Sequence, residues 1–108
     1  MAAYMVQVGY TPEGWAALIR NPQDRTEAIR QAVESVGGRI VGVWGAFGDY
    51  DLVAIVEAPD NVAAAALSLA FTAGGVLRSC RTTPLISMAE VVAALRKAGS
   101  IPYKPVGR

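Results

Sequence analysis

The chain contains no histidine and only one cysteine, Cys80, among its 108 residues. It therefore cannot form Cys/His zinc sites, histidine-ligated haem, a Ser-His-Asp triad or a Cys-His dyad on its own. A lone cysteine also excludes an internal disulfide, which agrees with a reducing cytoplasm. We expect Cys80 to be a packed thiol, and the common kinds of nucleophilic catalysis are not expected.

Charged residues are few. The net charge is +1, and the ten basic residues are scattered along the chain, so we expect no nucleic-acid partner. The nine acidic residues stand mostly at helix caps and turns, which is an ordinary structural role and predicts no metal site. The glycines do not form a phosphate-binding loop that opens a helix, so no nucleotide and no other cofactor is expected.

Long apolar segments are also missing. The longest uncharged stretch, Asn61 to Leu77, is shorter than the roughly 20 residues of a membrane span, and the N-terminus lacks the basic region of a signal peptide. We therefore expect a cytoplasmic protein that binds no membrane. Yet 53% of the residues are hydrophobic, which is more than a monomer of this size easily buries. The excess predicts a homodimer or higher oligomer.

Four segments carry the β-branched and aromatic residues that are typical of strands: Ala3 to Tyr10, Arg39 to Phe47, Tyr50 to Glu57, and Val76 to Thr83. Pro84 predicts that the fourth strand ends there or lies at a sheet edge. Gly48-Asp49 suits a tight hairpin turn between the second and third strands.

Helical periodicity and capping residues predict helices between these strands: Glu13 to Arg20, a stretch after Asp24 that ends at Gly37-Gly38, Val62 to Ala73 after the N-cap Asp60, and a last helix from the Ser87/Glu90 capping box to Gly99. This order predicts an α+β, ferredoxin-like βαββαβ domain with a four-stranded antiparallel sheet, helices on one face and an extra C-terminal helix. We expect residues 1–99 to form this domain and residues 100–108, which contain two prolines, to form an extended C-terminal tail.

The first three strands are apolar on both faces. The second strand, from Ile40 to Phe47, has no charged or amide side chain, and Leu52 to Val56 is apolar on both sides. A sheet covered on one side only should alternate apolar and polar residues. Because helices can cover only one face, the other is expected to meet the sheet of a second copy, as in a two-sheet barrel with a cavity or core between the sheets.

Polar and aromatic residues on these apolar strands are the candidate ligand-binding residues. Ser79, Arg81 and Thr83 share one face of the fourth strand by alternation, where they could line a pocket or could face solvent at a sheet edge. Arg81 would bind a carboxylate through two hydrogen bonds in such a pocket. Trp44 and Tyr50 are either anchors of a core or interface or ligand platforms, and Asp51 either satisfies turn amides or abstracts protons. We assign no catalytic residue, and the full set of candidates is Gln7, Trp44, Tyr50, Asp51, Ser79, Arg81 and Thr83.

The stretch Gly48-Asp49-Tyr50-Asp51-Leu52-Val53, with Glu57-Ala58-Pro59-Asp60 after it, resembles the GYD domain family, which is named for a Gly-x-Tyr-Asp signature. Similar features at Tyr10-Thr11-Pro12-Glu13-Gly14 and at Gly74-Gly75 extend the resemblance over roughly residues 3 to 95. The resemblance implies a ferredoxin-like, dimeric α/β-barrel assembly, and it implies no particular activity. The run Cys80-Arg81-Thr82-Thr83-Pro84 departs from the Thr-rich strand end expected of the family.

Three functional hypotheses follow. The first is a non-catalytic homo-oligomer that binds a small apolar or carboxylate-bearing molecule in a pocket between sheet and helices. The second is a purely structural assembly module. The alternative is a small cofactor-independent enzyme, similar to an oxygenase or isomerase, which acts on a hydrophobic substrate; its ionisable groups would be Asp51, Tyr50 and Arg81.

Overall fold

A computed structural model describes residues 1–107. These residues form the elements β1 (Ala2–Tyr10), α1 (Pro12–Arg20), α2 (Thr26–Ser35), β2 (Arg39–Gly45), β3 (Leu52–Ala58), α3 (Asn61–Ala73), β4 (Leu77–Leu85) and α4 (Met88–Gly99). Within this range, no helix has both the length and the apolar character needed to cross a membrane.

The four strands form one antiparallel sheet in the order β2-β3-β1-β4. Helices α2 and α3 pack on one face of it, α2 mainly against β2 and α3 mainly against β4. The predicted α+β, ferredoxin-like fold is thereby confirmed. Pro84 lies within β4, where it is tolerated because an edge strand needs hydrogen bonds on one side only.

The core lies between the sheet and these two helices. Alternation along β1 sends Tyr4, Val6 and Val8 toward the helices, and all three are buried. The hydroxyl of Tyr4 donates a hydrogen bond to Asn61 Oδ1 at 2.6 Å. The other buried residues come from β3, α2 and α3: Ala54, Val56, Ala58, Val33, Ala64 and Leu67.

The connection between β2 and β3 is longer than the predicted hairpin. It runs from residue 46 to residue 51, and the expected two-residue turn at Gly48-Asp49 is therefore wrong. The turn is closed between Ala46 and Asp51, because the Asp51 backbone O accepts the N–H of Ala46 at 2.9 Å, and Asp51 also bonds to β1. Its backbone N–H donates to Val8 O at 2.8 Å, and its carboxylate accepts the N–H of Tyr10 at 2.9 Å. Gly48 has a φ of +146°, which favours glycine.

The C-terminal arm, which we define as residues 86–107, extends away from the sheet. Helix α4 begins with the predicted capping box between Ser87 and Glu90, but none of its residues is buried and Leu95 is 66% exposed. The Cα radius of gyration of 17.4 Å exceeds the ~13 Å that is typical of a compact chain of this size. The apolar side of α4 thus has little contact with the rest of the chain.

Replacing Asp51 tests its role in holding the β2–β3 connection. We expect Asp51→Ala to lower the free energy of unfolding by about 1–3 kcal/mol, because it leaves the Tyr10 N–H without an acceptor. Asp51→Asn keeps a side-chain oxygen and should cost less. Urea denaturation followed by circular dichroism measures both, and an alanine variant as stable as the wild type would contradict this role.

Replacing Asp60 tests the start of α3. The Asp60 Oδ1 atom accepts the N–H of Ala63 at 2.9 Å, so Asp60→Ala is expected to destabilise the protein by about 1 kcal/mol. Asp60→Asn is the matched control, because asparagine caps a helix about as well. Equal thermal stability of the alanine and asparagine variants would argue against the cap.

Candidate functional site

The face of the sheet opposite α2 and α3, called the open face here, is uncovered within the described chain. The strand register places Trp44, Val53, Gln7 and Arg81 in one row across all four strands. The adjacent row contains Gly42, Ile55, Met5 and Thr83. The centre of the open face is therefore apolar apart from the Gln7 amide, as expected from the sequence of the first three strands.

Two glycines allow planar side chains to lie flat on the open face. The indole ring of Trp44 occupies the space where a Cβ on Gly42 would stand, and the guanidinium of Arg78 does the same above Gly9. Trp44 remains 54% exposed in this position. A large aromatic side chain held flat and uncovered gives the open face an area suited to packing against another flat surface.

Five of the seven predicted site residues lie on the open face: Gln7, Trp44, Ser79, Arg81 and Thr83. Gln7 and Arg81 are directly opposite each other across β1 and β4, and Ser79 is opposite Gly9. The Ser79 hydroxyl is buried without a hydrogen-bond partner among residues 1–107. Arg81 is exposed and takes part in none of the three ion pairs in that range.

The other two candidates, Tyr50 and Asp51, lie in the β2–β3 connection at one end of the sheet. The Asp51 side chain is only 14% exposed, and its Oδ2 lies 3.5 Å from Arg78 Nη2. Since Asp51 also accepts the N–H of Tyr10, its carboxylate is occupied by structural partners. This geometry favours the turn-amide role of Asp51 over that of a base.

Cys80 lies on the helix-covered face, where it packs against the core. Burial raises the pKa of the Cys80 thiol, and hydrogen bonds with Ser68 and Thr72 oppose that effect. A thiol that stays protonated at neutral pH is a poor nucleophile. Among residues 1–107, no cluster of three or more acidic or cysteine side chains is arranged to hold a metal ion.

A separate cavity of about 490 Å³ lies between the sheet and helices α2 and α3. Its lining is mostly aliphatic, with Tyr10 and Arg25 as polar members and Phe71 as an aromatic one. None of the seven predicted residues lines it. A cavity thus lies between the sheet and the helices, but the seven residues predicted from the sequence lie on the open face or in the β2–β3 connection and do not line it. Sequence reasoning missed Tyr10 and Arg25 because they are 15 positions apart and belong to no shared motif.

The Tyr10 ring meets the Trp15 ring edge to face, with 5.1 Å between centroids. Burial raises the pKa of the Tyr10 phenol, the Arg25 guanidinium opposes this increase, and the Asp51 carboxylate adds to it. Tyr10 therefore remains a hydrogen-bond donor at neutral pH. The Arg25 guanidinium donates a hydrogen bond to Gln23 Oε1 at 2.9 Å. Arg25 takes part in none of the ion pairs among residues 1–107.

Comparisons with known proteins agree with this fold. One relative is the glutamine synthetase and cystathionine beta-lyase binding protein of Thermus thermophilus, which is 28% identical over 96 residues that cover 89% of this chain and 100% of that protein. The crystal structure of TTHA0845, also from Thermus thermophilus, is similar with a TM-score of 0.52 at 17% identity, over 81% of this chain and 95% of that one. At that identity the likeness supports the fold alone.

The family comparison covers most of the sequence. The profile of the GYD domain matches residues 4–95, which include the Gly-x-Tyr-Asp stretch, nearly the whole sheet and most of α4. The resemblance proposed from the sequence is confirmed over nearly the same range. The chain belongs to the GYD domain family.

Proposed function

We propose that this protein is a non-catalytic, homo-oligomeric binding module in which the open face packs against the open face of a second copy. The observation that carries the proposal is the uncovered apolar centre of that face, formed by Met5, Val53, Ile55 and Trp44. Water contact with such a surface is unfavourable, and exposed apolar patches of this kind mark interaction sites. A two-fold pairing would use the same residues on both copies.

The size of the sheet indicates how much of the interface it can supply. Four strands about 4.8 Å apart, with about seven residues each at about 3.4 Å, give a face of roughly 450 Å² in projection. A standard stable interface buries about 800 Å² per partner. Because accessible surface exceeds this flat projection, the open face is of the same order as one side of a standard interface, and a further contact surface would enlarge it.

The C-terminal arm supplies such a surface. Leu85, at the end of β4, and Ile86, at the start of the arm, are both exposed and join the open face to the arm. Residues 1–85 contain eight acidic and six basic residues, whereas the arm, residues 86–107, contains one acidic and three basic residues. Opposite net charges favour contact between the arm of one copy and the body of another.

The polar residues beside the apolar centre are candidates for a ligand site between two paired sheets. Gln7, Ser79, Arg81 and Thr83 would line one side of that space. The Arg81 guanidinium has no acidic partner among residues 1–107, and it would form strong paired hydrogen bonds to a carboxylate once a second sheet excludes water. Trp44 would contribute aromatic surface on β2, the edge strand opposite β4, and Tyr50 would contribute it in the β2–β3 connection at one end of the sheet.

Protein partners other than a second copy are supported by the Thermus relative, whose name states that it binds glutamine synthetase and cystathionine beta-lyase. We infer that this protein likewise acts by binding other proteins, and that it does so in the cytoplasm, where a single free cysteine is ordinary. The alternative of a cofactor-independent enzyme has less support, because Asp51 is held by backbone and Arg78 contacts.

The oligomeric state tests the proposal. We expect the wild-type protein to be a dimer or larger assembly by analytical ultracentrifugation, and Ile55→Glu to be a folded monomer, because each copy would bury an unpaired carboxylate in the interface. A penalty of several kcal/mol weakens association by more than about 100-fold. Trp44→Glu is a second variant with the same expected result. The Trp44 side chain is already half exposed in the single chain, so its replacement should disturb the fold little.

The matched control is Ile19→Glu, which makes the same substitution at a residue that is 74% exposed on α1. It should leave the assembly unchanged. The proposal fails if the wild-type protein stays monomeric at high concentration, or if both open-face variants assemble as the wild type does.

A further inference from the structure

We infer that the cavity between the sheet and helices α2 and α3 binds a small apolar molecule that carries one carboxylate, with Arg25 as its anion partner. The inference extends the proposed binding role to a ligand class and a site that lies within a single chain. It is independent of the open face, which is on the other side of the sheet.

The cavity has the size and lining of a small-molecule site. Its volume of about 490 Å³ lies within the ~300–1,000 Å³ range of ligand pockets. The sheet contributes Val6, Val8, Ala54 and Val56 to its floor, and the side chains of all four are buried. A hydrocarbon body of the ligand would thus replace water against an apolar surface.

The cavity exists because the two helices that cover the sheet stand apart. Helix α2 packs on β2 and α3 packs on β4, and the walls between them carry small residues, namely Ala28 and Ala32 on α2 and Ala70 on α3. Large aliphatic side chains at these positions would fill the space, as they do in most protein interiors. The alanines leave it open.

The charge at the cavity determines which ligand is suited to it. Arg25 is the one ionised side chain among the lining residues, and Tyr10 is the other strong hydrogen-bond donor there. Arg25 is exposed, donates to the neutral amide of Gln23 and takes part in none of the ion pairs within residues 1–107. An apolar cavity with an unpaired guanidinium at its exposed edge favours an anion with an apolar tail over a cation.

The two neighbouring cavities indicate where the charged end would lie. They measure about 370 and 270 Å³, and both also include Tyr10 and Arg25. Their linings contain more polar groups, such as Asn21, Gln23 and Asp24. The Tyr10/Arg25 pair therefore marks the polar end of the apolar cavity, and the carboxylate would lie there.

A pair of probes with the same hydrocarbon chain tests the inference. Octanoate and 1-octanol are titrated separately into the full-length protein, and binding is measured by NMR chemical-shift changes and calorimetry. Octanoate is expected to bind more tightly than octanol. Arg25→Gln should weaken octanoate binding by about two- to fivefold, because an ion pair to an exposed side chain is weak, and should leave octanol binding unchanged.

Two kinds of control variant sharpen the test. Arg30→Gln changes a nearby arginine on the same helix that pairs with Glu27 and does not line the cavity, so it should bind both probes as the wild type does. Ala32→Leu and Ala70→Leu fill the cavity from α2 and from α3, respectively. Each should abolish binding of both probes. If one of the two variants folds poorly, the measurement is made on the other.

Failure of this inference and failure of the proposed assembly are distinguishable. Ile55→Glu should still bind octanoate, because the cavity lies within one chain, and Ala32→Leu should still assemble. The inference is overturned if octanoate does not bind to the wild-type protein, if folded cavity-filling variants bind it equally well, or if Arg25→Gln and Arg30→Gln are indistinguishable.

Discussion

The position of β1 between β3 and β4 is the constraint on which the rest of the structure depends. Neighbouring strands bond to both edges of β1, and its pleat places successive side chains on opposite faces of the sheet as far as the irregularity at Gly9/Tyr10. Tyr4, Val6 and Val8 form the core beneath the helices, while Met5 and Gln7 lie on the open face. One strand thus supplies both the floor of the cavity and the centre of the open face.

The two proposed binding surfaces consequently share a backbone but no side chain. A ligand in the cavity would contact the helix side of β1 and β3, and a second copy would contact the opposite side. Communication between them would require movement of these strands, which the β2–β3 connection restrains. Asp51 holds that connection to β1 through the backbone of Val8 and Tyr10, so the Gly-x-Tyr-Asp stretch ties the end of the open face to the polar end of the cavity.

The element types and the ferredoxin-like fold that they predict were confirmed, whereas the length of the β2–β3 turn was not. The strands followed from alternation and β-branched residues, and the α4 capping box followed from Ser87 and Glu90. The two-residue hairpin at Gly48-Asp49 was wrong because the turn is closed between Ala46 and Asp51, and Asp51 also bonds to Val8 and Tyr10 on β1. The seven site residues remain a prediction, and the structure groups five of them on one face.

The sequence by itself determined the element types, the family and the chemistry that is unavailable, because composition, periodicity and caps are local properties of the chain. The tertiary structure alone decided the strand order, the row that contains Trp44, Gln7 and Arg81, and the pairing of Tyr10 with Arg25 around a cavity. These features arise from sheet register and helix spacing. Both are set by packing between residues far apart in the chain, and no local propensity encodes them.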